Sequence, residues 1–227
     1  MKLKLFMIIS TLVLLVQGVS FANAETAEFY YNRGRHHFEN SDYYHAVEDY
    51  NQALHIKPDY VDALYGRAEI YLINNYFEEA ERDFSAIIKT YPKYEKAYVG
   101  RGRLYYKAGY YNQAIADWIK ALEINPNLHE VREELADVYL YQGTNKSEIR
   151  DLDGAIRDLT LVCLLSPENV EAWYRLGVLY LYSGDTEKAE ECFFIIYTIL
   201  EKMREPENFF YANFAFPKKI DAFFCTI

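Results

Sequence analysis

Cysteine is scarce in this chain: Cys163, Cys192 and Cys225 are three thiols among 227 residues. An odd, sparse set excludes a disulfide framework as the basis of the fold. Histidine offers no metal-site spacing either, since His36 and His37 are neighbours that point to different sides of a helix and make poor co-ligands. Positive charge is short, with 24 Lys and Arg against 34 Asp and Glu for a net charge of −10. That imbalance argues against nucleic acid or an anionic bilayer surface as a partner. Beyond the N-terminal segment no apolar run approaches the roughly 20 residues that span a bilayer. Nucleophile elbows, phosphate-cradling glycine loops and metal-ligand motifs are all missing. Glu133, Glu134 and Asp137 could pass for paired carboxylates. On an exposed helix face they lack the pocket that would raise one pKa for acid–base work. The chain therefore reads as no enzyme, with neither catalytic residues nor a cofactor.

Residues 1–24 read as a signal peptide. Lys2 and Lys4 precede the apolar stretch Leu5 to Val16, and Phe21-Ala22-Asn23-Ala24 ends in the small-x-small pattern of a cleavage site. Retention as a membrane anchor is the alternative. Cleavage removes two lysines and deepens the acidic excess, and it predicts a mature chain that is periplasmic or secreted. Cys163 lies in the apolar run Leu161 to Leu165 and Cys192 precedes Phe193-Phe194, so both read as buried thiols. A Cys192–Cys225 bridge is the other reading.

What is present is a beat of 34 residues. Pro58, Pro92 and Pro126 keep it, as do Ala46, Ala80 and Ala114, and Gly34, Ala68, Gly102 and Ala136. The interval widens once to 41, from Ala114 to Ala155 and from Pro126 to Pro167, and returns to 34 at Ala189. Such a period means one helical hairpin copied along the chain. Five units follow: 27–60, 61–94, 95–128, 129–169 and 170–204. Each is two helices of about 13–14 residues, about 20 Å long. Small residues at the eighth and twentieth places let paired helices approach, and Tyr50, Phe84, Trp118, Leu159 and Phe193 fill the space between. Asn74-Asn75, Gly109, Gly143 and Ser183-Gly184 read as the breaks between helices, with the prolines closing each unit. The seven extra residues of the fourth unit, 144–150, read as a surface loop at the hairpin turn, or else a lip used by a partner. Residues 205–227 carry seven Phe and Tyr and read as a cap folded back on the fifth hairpin, with oligomerisation as the alternative.

With small residues at the eighth and twentieth places, Tyr71, Tyr105, Tyr139 and Tyr180 at the eleventh and Pro near the thirty-second, the chain resembles the tetratricopeptide repeat (TPR) family. Its departures are His37 in place of the first Tyr, Arg132 for the fourth-place aromatic, and Glu201 where the last Pro belongs, so the final helix should run on toward Arg204. The resemblance implies an all-α, right-handed α-solenoid of hairpins with a C-terminal aromatic tail. It implies too that the first helices line a concave groove for a partner. By register that groove takes Tyr31, Arg35 and Phe38; Tyr65, Glu69 and Leu72; and Lys96, Arg103, Tyr106 and Lys107. The fourth unit adds Glu130, Glu133, Glu134 and Asp137, and the fifth Tyr174, Arg175, Leu181 and Tyr182. Two readings of these charges stay open: pairing with a neighbouring helix as plain scaffold, or a charge-patterned cradle for an extended or helical segment. The Lys/Asn/Arg carboxylate clamp of chaperone-binding members is not matched at either candidate set. The chain thus reads as a protein–protein scaffold outside the cytoplasm. A carrier of small apolar ligands and a structural component of an envelope complex are the alternatives.

Overall fold

The computed structural model describes residues 26–204. The leader, the C-terminal aromatic segment and Cys225 lie outside the described residues. Ten helices and no strand occur among those described. They are α1 Ala27–Glu39, α2 Tyr43–Ile56, α3 Val61–Ile73, α4 Phe77–Thr90, α5 Glu95–Lys107, α6 Tyr111–Ile124, α7 His129–Glu148, α8 Leu152–Leu165, α9 Val170–Ser183 and α10 Thr186–Arg204. Consecutive helices pair as antiparallel hairpins, the all-α repeat architecture expected. The chain divides into two compact units, Met1–Pro92 and Lys93–Ile227. The first holds hairpins α1–α2 and α3–α4; the second holds α5–α6, α7–α8 and α9–α10. No helix among the described residues is long and apolar enough to cross a membrane.

Each hairpin turns the same way. Ser41, Asn75, Gly109, Arg150 and Gly184 take the left-handed conformation, with φ of 60°, 61°, 82°, 65° and 85°. The next residue then donates its N–H back across the helix end: Asp42 to His37, Tyr76 to Tyr71, Tyr110 to Tyr105, Asp151 to Lys146 and Asp185 to Tyr180, at 2.8–2.9 Å. This six-to-one closure satisfies carbonyls that the helix itself leaves open.

Inside the hairpins, small meets large. A Cβ on Gly102 would lie 2.5 Å from the Trp118 indole, and one on Gly34 or Gly66 would lie 2.9 or 2.8 Å from the Tyr50 ring. Tyr50 is thus gripped between hairpins one and two. The twentieth-place alanines are wholly buried, and Tyr50, Phe84, Trp118 and Leu159 are at most 2% exposed. Cys163 and Cys192 are unbridged and buried in the last hydrophobic cluster with Leu159, Val162 and Leu176.

The fourth hairpin departs from the sequence reading. Residues 144–150 are not a loop: α7 continues unbroken for 20 residues to Glu148, and the turn falls at Arg150. Gly143 is therefore no helix break. It lies within α7, where an added Cβ would meet Leu159 Cγ at 3.0 Å and Asp158 Cβ at 3.2 Å. Counted back from the turn, Gly143 stands where Gly34, Gly102 and Gly177 stand, seven residues before the left-handed position. Seven residues make nearly two turns at 3.6 per turn, so a helix can lengthen by that much and present the same face. Ala136 and Gly143 then fall on one stripe, both buried.

Candidate functional site

The seventh and twenty-third places of the first three hairpins carry a feature that the sequence reading passed over. Arg33 Nε and Nη2 donate to Asp49 at 2.8 and 2.5 Å, Arg67 to Asp83 at 2.8 and 2.8 Å, and Arg101 to Asp117 at 2.7 and 2.8 Å. The carboxylates are buried, at 4–6% exposure. Arg67 also donates to Asn51 Oδ1 on the preceding hairpin. The signal was in the chain, since these arginines and these aspartates each recur every 34 residues. In the fourth hairpin Leu135 stands at the seventh place counted from the helix start, and Lys146 reaches Asp158 Oδ2 instead, at 2.6 Å. In the fifth, Leu176 and Cys192 occupy the two places. Burial pushes the Cys192 thiol up to about 11 and that of Cys163 higher still.

In the first unit, α1 and α3 present the predicted groove residues. Tyr31 stacks on Tyr50 with centroids 6.0 Å apart and tilts against Tyr60 at 5.1 Å. Burial, then the Asp62 carboxylate, raises its phenol above the ordinary range, with Arg35 opposing. Arg35 pairs along its own helix with Glu39 at 3.5 Å. Tyr65 meets the edge of Phe84 at 5.9 Å, and Phe38 tilts against Tyr43 at 5.7 Å. Glu69 and Leu72 are half-buried.

In the second unit the charges separate into engaged and open. Arg103 Nε donates to Glu134 Oε1 at 2.8 Å, and Nη2 donates to Glu130 Oε2 at 3.2 Å. Those bonds, Glu134's first, hold the guanidinium pKa above its usual value. Arg103 is thus an α5–α7 cross-link. Arg175 pairs with Glu171 along α9 at 2.8 Å. Lys96 and Lys107 are exposed, as are Glu133 and Asp137, and none of the four makes an ion pair among the described residues. Tyr106 is 46% exposed and packs 5.8 Å from the Trp118 ring; Tyr174 is 58% exposed and lies 6.4 Å from Phe193. Leu181 and Tyr182 are exposed at the end of α9. Two buried polar atoms, Trp118 Nε1 and Glu134 Oε2, have no hydrogen-bond partner among the described residues.

One convergence has no counterpart in the sequence reading. His36 and His37 do not act together; His37 instead meets His45 and Asp42 across the first hairpin turn, with ligand atoms within 4.8 Å of one another.

Family models described as tetratricopeptide repeat match residues 27–60 and 162–191, and one described as TPR repeat matches 91–143. Among solved structures, the chain is similar to MamA at 19% identity and a TM-score of 0.58, over 81% of this chain and 97% of that one. It is similar to YrrB, described as a TPR protein with an unusual peptide-binding site, at 22% identity and a TM-score of 0.56, over 85% and 93% of the two chains. A MamA fragment from Desulfovibrio magneticus RS-1 matches at 16% identity and 0.53, over 80% and 97%. No curated protein matches the chain by sequence. At these identities the structural likeness speaks for the fold.

Proposed function

Because the chain belongs to the tetratricopeptide repeat family, we propose that it is a non-catalytic scaffold that holds a segment of a partner protein on the first helices of its hairpins, outside the cytoplasm. The observation that carries this reading is the residue set left open on α5, α7 and α9. Arg103 engages Glu130 and Glu134, while Glu133 and Asp137 are exposed and form no ion pair among the described residues, and Tyr106, Tyr174, Leu181 and Tyr182 are exposed on the same set of first helices. Tyrosine supplies rigid contact area with a polar tip, at little entropic cost. Unpaired carboxylates set orientation and on-rate more than affinity. The partner segment suited to this face is basic, with apolar or aromatic anchors. In the first unit Tyr31, Arg35, Phe38, Tyr65 and Glu69 form the corresponding surface, and the exposed Lys96 offers a cation to a carboxylate of the partner. A peptide-binding site in YrrB, a relative in fold, supports this class of ligand. The leader at 1–24, with its Ala22-Asn23-Ala24 site, supports export to the periplasm or medium.

Selection of displayed random peptides on the purified chain tests the groove. Basic peptides with aromatic or aliphatic anchors should be enriched. Glu133→Lys with Asp137→Lys should abolish that preference, and replacing Tyr31, Tyr65, Tyr106 and Tyr174 by Ala should lose the peptides altogether. If the quadruple variant retains them all, the face is wrongly assigned. N-terminal sequencing of the exported protein checks the leader, with Glu25 expected as the first residue.

A further inference from the structure

We propose that the turn of the first hairpin binds a first-row divalent cation of the zinc type through His37, Asp42 and His45. The two imidazoles approach from different helices. His37 Nδ1 lies 3.3 Å and His45 Nδ1 2.7 Å from the same oxygen, Asp42 Oδ2. A tetrahedral ion about 2.0–2.1 Å from nitrogen and oxygen ligands holds its donors about 3.3 Å apart. All three ligand atoms already fall within 4.8 Å of one another. Little movement is needed to reach a coordinating arrangement.

The backbone sets this convergence. Ser41 takes the left-handed turn, Asp42 donates its N–H to His37 O at 2.9 Å, and Asp42 caps α2, where His45 is the third residue. The rings lie 5.4 Å apart with planes 33° from parallel, so both Nδ1 atoms can face one point. Behind His37, Nε2 is 3.9 Å from Asp49 Oδ2, and Asp49 is held by Arg33 through two bonds. Coordination through Nδ1 leaves the Nε2–H facing that carboxylate, the outer-sphere partner that orients many metal-bound histidines. The side chains of His37, Asp42 and His45 are 31%, 38% and 56% exposed, which admits an ion and a water ligand from solvent.

Capping alone would account for an Asp42–His45 pair. Asp185 caps α10 in the same way and pairs with Lys188 at 2.6 Å. The other hairpins show what that arrangement looks like without ligands. Counted from the turn, the three places hold Tyr71, Tyr76 and Glu79 in the second, Tyr105, Tyr110 and Gln113 in the third, Lys146, Asp151 and Gly154 in the fourth, and Tyr180, Asp185 and Lys188 in the fifth. The first hairpin alone fills all three with metal-binding types, and its His37 is the residue that replaces the family's tyrosine. Two imidazoles and one carboxylate suit zinc, nickel or copper better than magnesium or calcium.

The test is titration of zinc chloride into the full chain, purified without a polyhistidine tag and stripped with chelator, followed by calorimetry and by cobalt absorbance. One tight ion per chain is expected, with tetrahedral-type cobalt bands. His37→Gln and His45→Gln should each weaken binding by more than the roughly 10–100-fold typical of outer-sphere changes. Asp42→Asn keeps the helix cap and should weaken it about tenfold or more. Circular dichroism of each variant checks the fold independently. The proposal is overturned if the native chain takes up no zinc at micromolar concentration, if the double His variant binds as tightly as the native chain, or if magnesium competes equally.

Discussion

In the third hairpin a guanidinium and a carboxylate close the space between the helices, Arg101 on Asp117; in the fifth, Leu176 and Cys192 stand in the same two places. The backbone is common to both. Gly102 lies against Trp118, and Gly177 lies against Phe193 with Cys192 Cβ at hand, as Gly34 lies against Asp49 Cβ. What the hairpin requires is a filled, satisfied space, and either chemistry supplies one. A buried ion pair recovers little net stability over an apolar pair of similar size, but removal of one partner strands a buried charge. The fourth hairpin stands between the two, with Lys146 making one bond to Asp158 where arginine makes two.

The largest effect should come from breaking the third pair. Arg101→Met leaves Asp117 buried and unpaired and is expected to cost about 3–5 kcal/mol. Trp118 and Trp173 are the chain's two tryptophans, so urea unfolding followed by fluorescence reads this loss in the second unit. Gly102→Ala comes next. Its Cβ would press on the indole at 2.5 Å, for about 2–3 kcal/mol of overpacking. Gly143→Ala, at 3.0 Å from a movable Leu159 and with a gain in helix propensity, should fall within about 1 kcal/mol of native. Lys146→Met should cost about 2 kcal/mol, less than Arg101→Met because a single, more exposed bond is lost. The double change Arg101→Leu with Asp117→Cys copies the fifth hairpin into the third and should stay within about 1 kcal/mol of native. A loss as large as the single variant's would break the comparison.

A pH dependence sets the fifth hairpin apart from the third by virtue of its thiol. The Cys192 pKa is raised from about 9 to about 11 by burial. Below pH 9 the thiol is neutral folded and unfolded, and its contribution is intact. As pH rises from 9 toward 11 the unfolded chain ionises first, so stability falls across that window. The thermal midpoint of the native chain should drop more over that range than that of Cys192→Ala.

Much of this was legible in the residues. The 34-residue interval, the small places and the large fillers are local regularities, and the left-handed positions at Asn75, Gly109 and Gly184 carry residue types suited to them. Ser41 and Arg150 carry no such mark. The arginine and aspartate series was equally periodic and went unread, because polar residues on a helix look like a solvated face until the partner helix is in place. The extension of α7 was hidden for a different reason. Ala136 and Gly143 are both small and a heptad apart, so matching from the start of the helix and matching from the turn give different answers. Of the proposed contact residues, Arg103, Arg175 and Arg35 have partners within the fold, whereas Lys96, Glu133 and Asp137 form no ion pair among the described residues.

Hairpin number and the complementarity of Gly102 with Trp118 follow from the chain alone, since they depend on periodicity and side-chain volume within one repeat. Tertiary structure decided which charge meets which, where α7 ends, and that His37 finds His45 rather than His36. Those outcomes turn on a few ångströms between residues of separate helices, a distance that packing sets and spacing along the chain does not.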